Sequence, residues 1–253
     1  MTTLRTALIA AFFIFSGPAG PVTAGDTLDP LDMDQRKEID TLIHNYIMQH
    51  PEVILESIQR LREKEEMAGQ ASATQNLIQA SDAIYNDPLS PIGGNPDGSV
   101  TIVEFFDYRC GYCKRVFPAI EEILAEDKDI KIVFKEFPIL GEDSVLASRA
   151  ALATWFNWPD QYHKFHTELM SSRGSLNQNK VFELASIAGI DVTALKAAMK
   201  DEKVDEAIAR TMKLAEFLDI NGTPGFIIGN ELIPGAIDID AIRSLIEQAR
   251  NNS

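Results

Sequence analysis

Cysteine is scarce in this chain of 253 residues, which contains only Cys110 and Cys113. A structural zinc knuckle needs two more ligands, and no second cysteine pair is present to supply them. A purely structural disulfide across so short a loop would add little stability, because the chain-entropy contribution grows with loop length. The spacing therefore indicates a redox-active Cys-x-x-Cys pair.

Positive charge is also in short supply, with 23 Lys and Arg against 38 Asp and Glu and a formal net charge of −15. This balance argues against nucleic acid or an anionic membrane as the main partner, because both favour Lys and Arg. Hydrophobic residues make up 45% of the chain, enough for one substantial core and a smaller additional element.

The N-terminus has the pattern of a signal peptide. Arg5 supplies a positive start, residues 7–15 form an apolar segment too short to span a bilayer, and Val22 to Ala24 resemble a cleavage site. We predict a signal peptide over residues 1–24, cleaved after Ala24, with an uncleaved anchor as the alternative. Export would place both cysteines where disulfides are made and exchanged.

The two cysteines follow an apolar run, Val100 to Phe106, that is typical of a buried strand, and they stand where a helical pattern begins. A helix N-terminus favours thiolate over thiol, since its backbone N–H groups lack helical partners. Cys110 is therefore the predicted nucleophile. Cys113, one turn further along, is placed to resolve a mixed disulfide formed on Cys110.

Residues 25–86 are predicted to form a charged helical region. Asp32 and Gln35 form a plausible capping box, and Pro51 separates two helices. Each helix has an apolar stripe that must be buried, either on the redox domain or against copies of the same chain. We favour self-association, with docking in cis as the alternative. The stripes comprise Ile39, Leu42, Ile43, Tyr46, Ile47, Ile54, Ile58 and Leu61.

Residues 87–98 are rich in turn formers and predict a domain boundary, so that a second domain spans residues 87–253. A strand, the helix after the cysteines and a strand at 130–137 predict a right-handed parallel βαβ unit. Residues 141–218 contain only helical patterns and predict a helical insertion. A β-hairpin from Gly225 to Ile233 and a final helix follow.

This combination resembles the thioredoxin superfamily and, within it, the exported DsbA-like proteins. The features that carry the resemblance are the Cys-x-x-Cys, the helical insertion and Thr223-Pro224 before the hairpin. The helical N-terminal region together with Phe105 to Cys113 further resembles the ScsC subgroup. The expected fold class is α/β, a thioredoxin fold with an inserted helical subdomain, preceded by an N-terminal helical oligomerisation region.

The resemblance implies roles for individual residues. It makes Cys110 the attacking cysteine, Cys113 the resolving cysteine and Pro224 a cis-proline. The backbone of Thr223 would then pair with an extended segment of the substrate.

Glu104 lies six residues before Cys110, which matches the position of a buried acidic residue in DsbA-like proteins that helps to move protons during disulfide exchange. Lys135 is a possible partner for the carboxylate of Glu104. A buried acid has to be paired or protonated. The alternative is a Glu104 that faces water at a strand edge, because apolar neighbours alternate with it.

The dipeptide between the cysteines is Gly111-Tyr112, which lacks the proline and histidine found there in the oxidant DsbA. The residue before Pro224 is Thr223, where that oxidant has Val. At both positions the sequence is similar to the isomerase and reductase types DsbC and DsbG. The resemblance implies that a disulfide between Cys110 and Cys113 would be less oxidising than that of DsbA. Gly111 and Tyr112 are candidate substrate contacts next to Cys110, as is Tyr108, although both tyrosines are also typical packing residues.

The resulting prediction is a periplasmic thiol-disulfide oxidoreductase of the isomerase or reductase type, with no cofactor and no metal. Its expected partners are misoxidised exported proteins, a membrane or periplasmic redox partner, and copies of itself in a dimer or trimer. One alternative is a DsbA-like dithiol oxidase. Others are a copper-binding protein, with Cys110, Cys113, His163 and His166 as soft ligands, and a chaperone in which the helical region is the functional part.

Overall fold

The computed structural model describes residues 31–251, and the contacts divide the chain into two compact units between Leu61 and Arg62. The predicted signal peptide, residues 1–24, lies outside the described residues. Between residues 31 and 251, no helix has both the length and the apolar composition needed to cross a membrane.

The first unit contains helix α1 (Met33–Gln49) and the beginning of helix α2 (Glu52–Gln79). The predicted capping box is present, since the Asp32 carboxylate accepts the Gln35 backbone N–H and the Gln35 side chain accepts the N–H of Asp32. No side chain of α1 is buried. The apolar stripe on this helix is therefore exposed within the described residues, with Leu42 67% exposed.

The second unit is an α/β domain around a five-stranded mixed sheet in the order β1-β3-β2-β4-β5. Strands β2 and β3 are parallel, and every other pair is antiparallel. The predicted βαβ unit, helical insertion, hairpin and final helix are all present. After α2, the elements are α3 (Ser81–Tyr85), β1 (Ile92–Gly94), β2 (Val100–Phe106), α4 (Gly111–Glu126), β3 (Ile130–Glu136), α5 (Glu142–Asn157), α6 (Pro159–Ser171), α7 (Gln178–Ala188), α8 (Val192–Ala198), α9 (Glu202–Phe217), β4 (Gly225–Ile228), β5 (Glu231–Pro234) and α10 (Ile239–Asn251).

Side chains of the central strand β2 enter two separate cores on opposite faces of the sheet. Val100, Ile102 and Phe106 pack in the core that contains both cysteines, whereas Val103 and Phe105 pack in the second core. Successive residues of a strand point to opposite faces, so a strand covered on both sides is apolar throughout. The buried polar residue in β2 is Glu104, which the alternation places on the face of the cysteines.

The end of α2 and all of α3 belong to the second core, where Leu77, Ala80 and Ile84 are buried. The compact unit therefore begins well before residue 87, where turn-forming residues predict a boundary. The turn-rich stretch itself contains β1, which pairs with β3 at the edge of the sheet. Two of its three residues are glycines, so neither propensity nor alternation indicates this strand.

We predict that Ile84→Ala lowers the free energy of unfolding by about 2–5 kcal/mol, because it leaves a cavity in a closed core. Ile78→Ala is the matched control on the same segment, since Ile78 is 69% exposed and its loss should change stability by less than about 0.5 kcal/mol. Denaturant unfolding measures both. Equal effects of the two variants would contradict the packing of this segment.

Candidate active site

Cys110 is the N-cap residue of α4, four residues after β2 ends. Its Sγ accepts the backbone N–H of Cys113 at 3.3 Å, as a capping side chain does. Cys110 is at the edge of the buried core, Cys113 is completely buried, and both are free thiols in this structure. The strand-to-helix turn therefore leaves Cys110 6% exposed and encloses Cys113 completely.

Hydrogen bonds lower the pKa of Cys110 to about 5, far below its ordinary value of 9.0. The largest contribution comes from the Cys113 side chain, and the Thr223 side chain and the backbone N–H groups of Cys113 and Tyr112 act in the same direction against burial. The same hydrogen bond to Cys110, together with burial, raises the pKa of Cys113. Near neutral pH the pair thus holds a thiolate at Cys110 and a thiol at Cys113.

The Thr223–Pro224 peptide bond is cis and lies beside the cysteines. As a thiol, Cys110 Sγ donates to the backbone carbonyl of Thr223 at 3.2 Å. Next to this contact is a groove of about 140 Å³, lined by Asn221, Thr223, Pro224, Leu232 and Pro234 among others. Thr223 therefore contacts the nucleophilic sulfur and also lines this groove.

Glu104 is only 1% exposed, so the buried arrangement is the one observed. Within residues 31–251 its Oε1 has no hydrogen-bond partner. Burial, followed by the charges of Cys110 and Glu121, raises the pKa of Glu104 to about 8. A carboxyl group with that pKa can both hold and release a proton at neutral pH.

Lys135 is not the partner of Glu104, which corrects the expectation from the sequence. Glu104 is in register with Phe134 in the parallel pair, so the next residue along β3 points to the opposite face of the sheet. There the buried Lys135 Nζ donates to the Ala83 carbonyl at 2.7 Å and to Ser90 Oγ at 2.8 Å. Lys135 thus fastens α3 to the sheet.

Of the predicted substrate contacts, only those between the cysteines are exposed. Tyr112 is 58% exposed, with the Arg115 guanidinium 4.8 Å from its ring centroid, and Gly111 faces open space at the first turn of α4. Tyr108 is completely buried, so the expectation of a client contact there is wrong. Its hydroxyl donates to Glu136 at 2.8 Å inside the protein.

Asp107, which the sequence analysis did not single out, holds the loop that carries Cys110. It is fully buried, and its carboxylate accepts the backbone N–H of Arg109 at 2.7 Å, the N–H of Leu140 at 3.0 Å and the Ser144 hydroxyl at 2.8 Å. The last two donors stand at the start of the helical insertion. One carboxylate therefore connects the active-site loop to the insertion.

Glu136, at the end of β3, is a second buried carboxylate that the sequence analysis missed. Its carboxylate accepts hydrogen bonds from the hydroxyl groups of Tyr108, of Ser148 on α5 at 2.7 Å and of Tyr162 on α6 at 3.3 Å. Burial raises its pKa to about 8 even though these hydrogen bonds favour the charged form. The sequence signal for such a group is an acidic residue in a largely apolar strand, at a position whose side chain points to a buried face of the sheet.

The two histidines proposed as copper ligands occupy different environments. His166 is fully buried with Nδ1 3.0 Å from the Tyr108 hydroxyl, and burial lowers its pKa to about 3. His163 lies at the surface, 3.1 Å from Glu121. Across the described part of the chain, no three Cys, His, Asp or Glu side chains group as metal ligands. The four predicted copper ligands are therefore not brought together.

A parallel βαβ unit with a cysteine pair at the start of its helix, facing a cis-proline, defines a protein of the thioredoxin class. The DSBA-like thioredoxin domain family matches residues 101–247, and the copper resistance protein ScsC N-terminal domain matches residues 35–68. The chain belongs to the DsbA-like thiol-disulfide oxidoreductase family, and its helical N-terminus is a domain of the ScsC type.

Solved structures of similar proteins agree with this assignment. The chain is 39% identical to a thioredoxin-like oxidoreductase from Silicibacter pomeroyi, over 67% of this chain and 97% of that one, with a TM-score of 0.65. A periplasmic thioredoxin-like protein from Salmonella enterica is 36% identical over 68% of this chain and 95% of that one, with a TM-score of 0.63. A linker-deletion variant of Proteus mirabilis ScsC is 28% identical and covers 90% of this chain and 100% of that one, with a TM-score of 0.69.

We predict that Cys113→Ala raises the pKa of Cys110 more than Cys113→Ser does, because a serine hydroxyl can still donate to the sulfur. Alkylation rates over a pH series measure this pKa. At about pH 6 the alanine variant should react roughly tenfold more slowly than the serine variant, since less thiolate is present. Equal pKa values would contradict the hydrogen bond as the main cause.

Glu136→Gln should flatten the pH dependence of stability of the reduced protein. The pKa of Glu136 is about 8 in the folded state against an ordinary value of 4.5, so the folded protein binds the extra proton and loses stability as pH rises between these values. Unfolding free energies across this range test the effect. Ser148→Ala is the control that removes one donor but leaves the titrating group. An unchanged slope in Glu136→Gln would refute the assignment.

Proposed function

We propose that this protein is a periplasmic disulfide isomerase and reductase that acts on exported proteins. The observation that carries the proposal is the difference between the two sulfurs, with a thiolate at Cys110 beside the cis-proline loop and a buried thiol at Cys113. The signal peptide predicted at residues 1–24 and the periplasmic description of the Salmonella relative support export.

In the first step, the Cys110 thiolate attacks one sulfur of a client disulfide. A bond forms between Cys110 Sγ and that sulfur, while the other client sulfur leaves as a thiolate. The half-buried backbone of Thr223 would pair with the extended client segment, and Tyr112 offers an apolar ring next to the attacking sulfur.

Two routes release the client. In isomerisation, another client thiolate attacks the mixed disulfide, forms a new client disulfide and returns Cys110 as a thiolate. In reduction, Cys113 loses its proton and attacks Cys110 Sγ, so the two cysteines are oxidised to a disulfide and the client leaves reduced. The raised pKa of Cys113 delays the second route and gives the client time to rearrange.

We further propose that the N-terminal helices assemble copies of the chain into a dimer or trimer. Seven residues of the stripe on α1 and the start of α2 are exposed: Ile39, Leu42, Ile43, Tyr46, Ile54, Ile58 and Leu61. Exposed apolar stripes at helical spacing are buried when helices associate. Assembly would place several copies of Cys110 around one client.

The test is refolding of a scrambled multi-disulfide protein, run beside oxidation of the same protein in reduced form, with molar mass measured on each sample. We expect the wild type to be oligomeric and to favour the scrambled substrate. Leu42→Glu should reduce the mass and slow isomerisation several-fold, while oxidation per cysteine pair stays the same. Thr41→Glu is the control, because it places the same charge on the opposite face of α1.

Faster oxidation than isomerisation by the wild type would favour the dithiol oxidase. A monomeric wild type that isomerises fully would overturn the role given to α1.

A further inference from the structure

Two carboxylate oxygens, one on β2 and one on α4, are buried and have no hydrogen-bond partner within the described residues. They are Oε1 of Glu104, on β2, and Oε1 of Glu121, on α4. Buried polar atoms of this kind are rare in folded proteins and require an explanation. Neither atom is used in the fold, and Glu121 has no place in the chemistry described so far.

One face of helix α4 extends from the buried sulfur of Cys113 towards solvent. Cys113, Phe117 and Glu121 follow each other at intervals of four residues, so they lie along one face of α4. The Glu121 side chain is 30% exposed, and its Oε2 is 3.1 Å from Nε2 of His163 on α6, whose side chain is 52% exposed. Glu121 therefore stands between the protein interior and a surface imidazole.

Electrostatic coupling connects the interior groups to Glu121. The charge of Glu121 contributes to the raised pKa of Glu104, and the charge of Glu104 contributes to that of Cys113. Cys110 and Tyr162 are the other titratable groups coupled to Glu104 in the described chain. His163 itself keeps a raised pKa because of its hydrogen bond to Glu121.

We propose that Glu121 and His163 form the proton exit of the resolving step, a role that rests on the proposed function of the cysteine pair. The Cys113 thiol gives its proton to Glu104, which passes it to Glu121 directly or through a buried water molecule, and His163 delivers it to solvent. Glu121 and His163 touch no reacting atom, so they act through Glu104.

The S–H bond of Cys113 breaks, its electron pair forms the bond to Cys110 Sγ, and the bond between Cys110 and the client sulfur breaks. The client sulfur leaves with that electron pair as a thiolate. The released proton ends in bulk water, and Glu104, Glu121 and His163 return to their starting states.

The experiment follows the second thiolate released when the reduced protein reacts with a chromogenic aromatic disulfide, because that release requires Cys113 to attack the mixed disulfide on Cys110. Rates are measured against pH and against imidazole concentration. In the wild type the rate should rise as Glu104 loses its proton, with a midpoint near the pKa of about 8, and imidazole should have little effect.

In Glu121→Gln the amide retains a hydrogen bond to His163 but cannot carry a proton. We expect the midpoint to move to lower pH, because the charge that raises the pKa of Glu104 is gone. At low buffer the plateau rate should fall on the order of tenfold, and added imidazole should restore it. His163→Gln should show the same dependence on imidazole.

Glu122→Gln is the matched control, since Glu122 is the neighbouring residue on α4 and pairs with Arg243 on the outer surface. It should behave as the wild type does. Thermal unfolding of each variant confirms that the fold is retained. If Glu121→Gln keeps the wild-type midpoint and buffer independence, the proton exit is refuted. If the wild type itself releases no second thiolate, the proposed function fails instead.

Discussion

The chemistry of this protein depends on hydrogen bonds that converge on one sulfur atom. Cys110 Sγ lies at the start of α4, where the backbone N–H of Cys113 and the Cys113 side chain stabilise negative charge. The fold makes this possible because the parallel βαβ unit ends β2 at the same point where α4 begins. The donors that lower the pKa of Cys110 come from this turn and from Thr223 in the loop opposite.

The site is supported by carboxyl groups that the sheet holds inside the domain. Asp107 and Glu136 follow or end the two parallel strands, and each accepts donors from the helical insertion. Because the two serines that reach them, Ser144 and Ser148, are one turn apart on α5, a single helix is fixed to both carboxyl groups. The insertion is therefore positioned by polar contacts as well as by its apolar core.

Periodicity and turn chemistry were enough to predict the order of elements from α4 to α10 and the location of both cysteines. The sequence did not reveal β1, because two glycines in a three-residue edge strand carry no pattern. Lys135 was paired with the wrong acid, since the pairing required the register of β2 against β3 and the face to which each residue points. Tyr108 and His166 resemble surface residues in sequence, and only the tertiary packing buries them around Glu136.

The attachment of α3 to the sheet sets a limit on how this protein can be shortened. The ammonium group of Lys135 is enclosed, and its partners are the Ala83 carbonyl, Ser90 and the Asp87 carboxylate at 3.8 Å. Truncation at residue 87 would remove the Ala83 acceptor together with the apolar side chains of Leu77 and Ile84, leaving the buried cation with one hydrogen bond fewer beside an opened core. An autonomous catalytic fragment has to begin upstream of Leu77, within the last turns of the long helix.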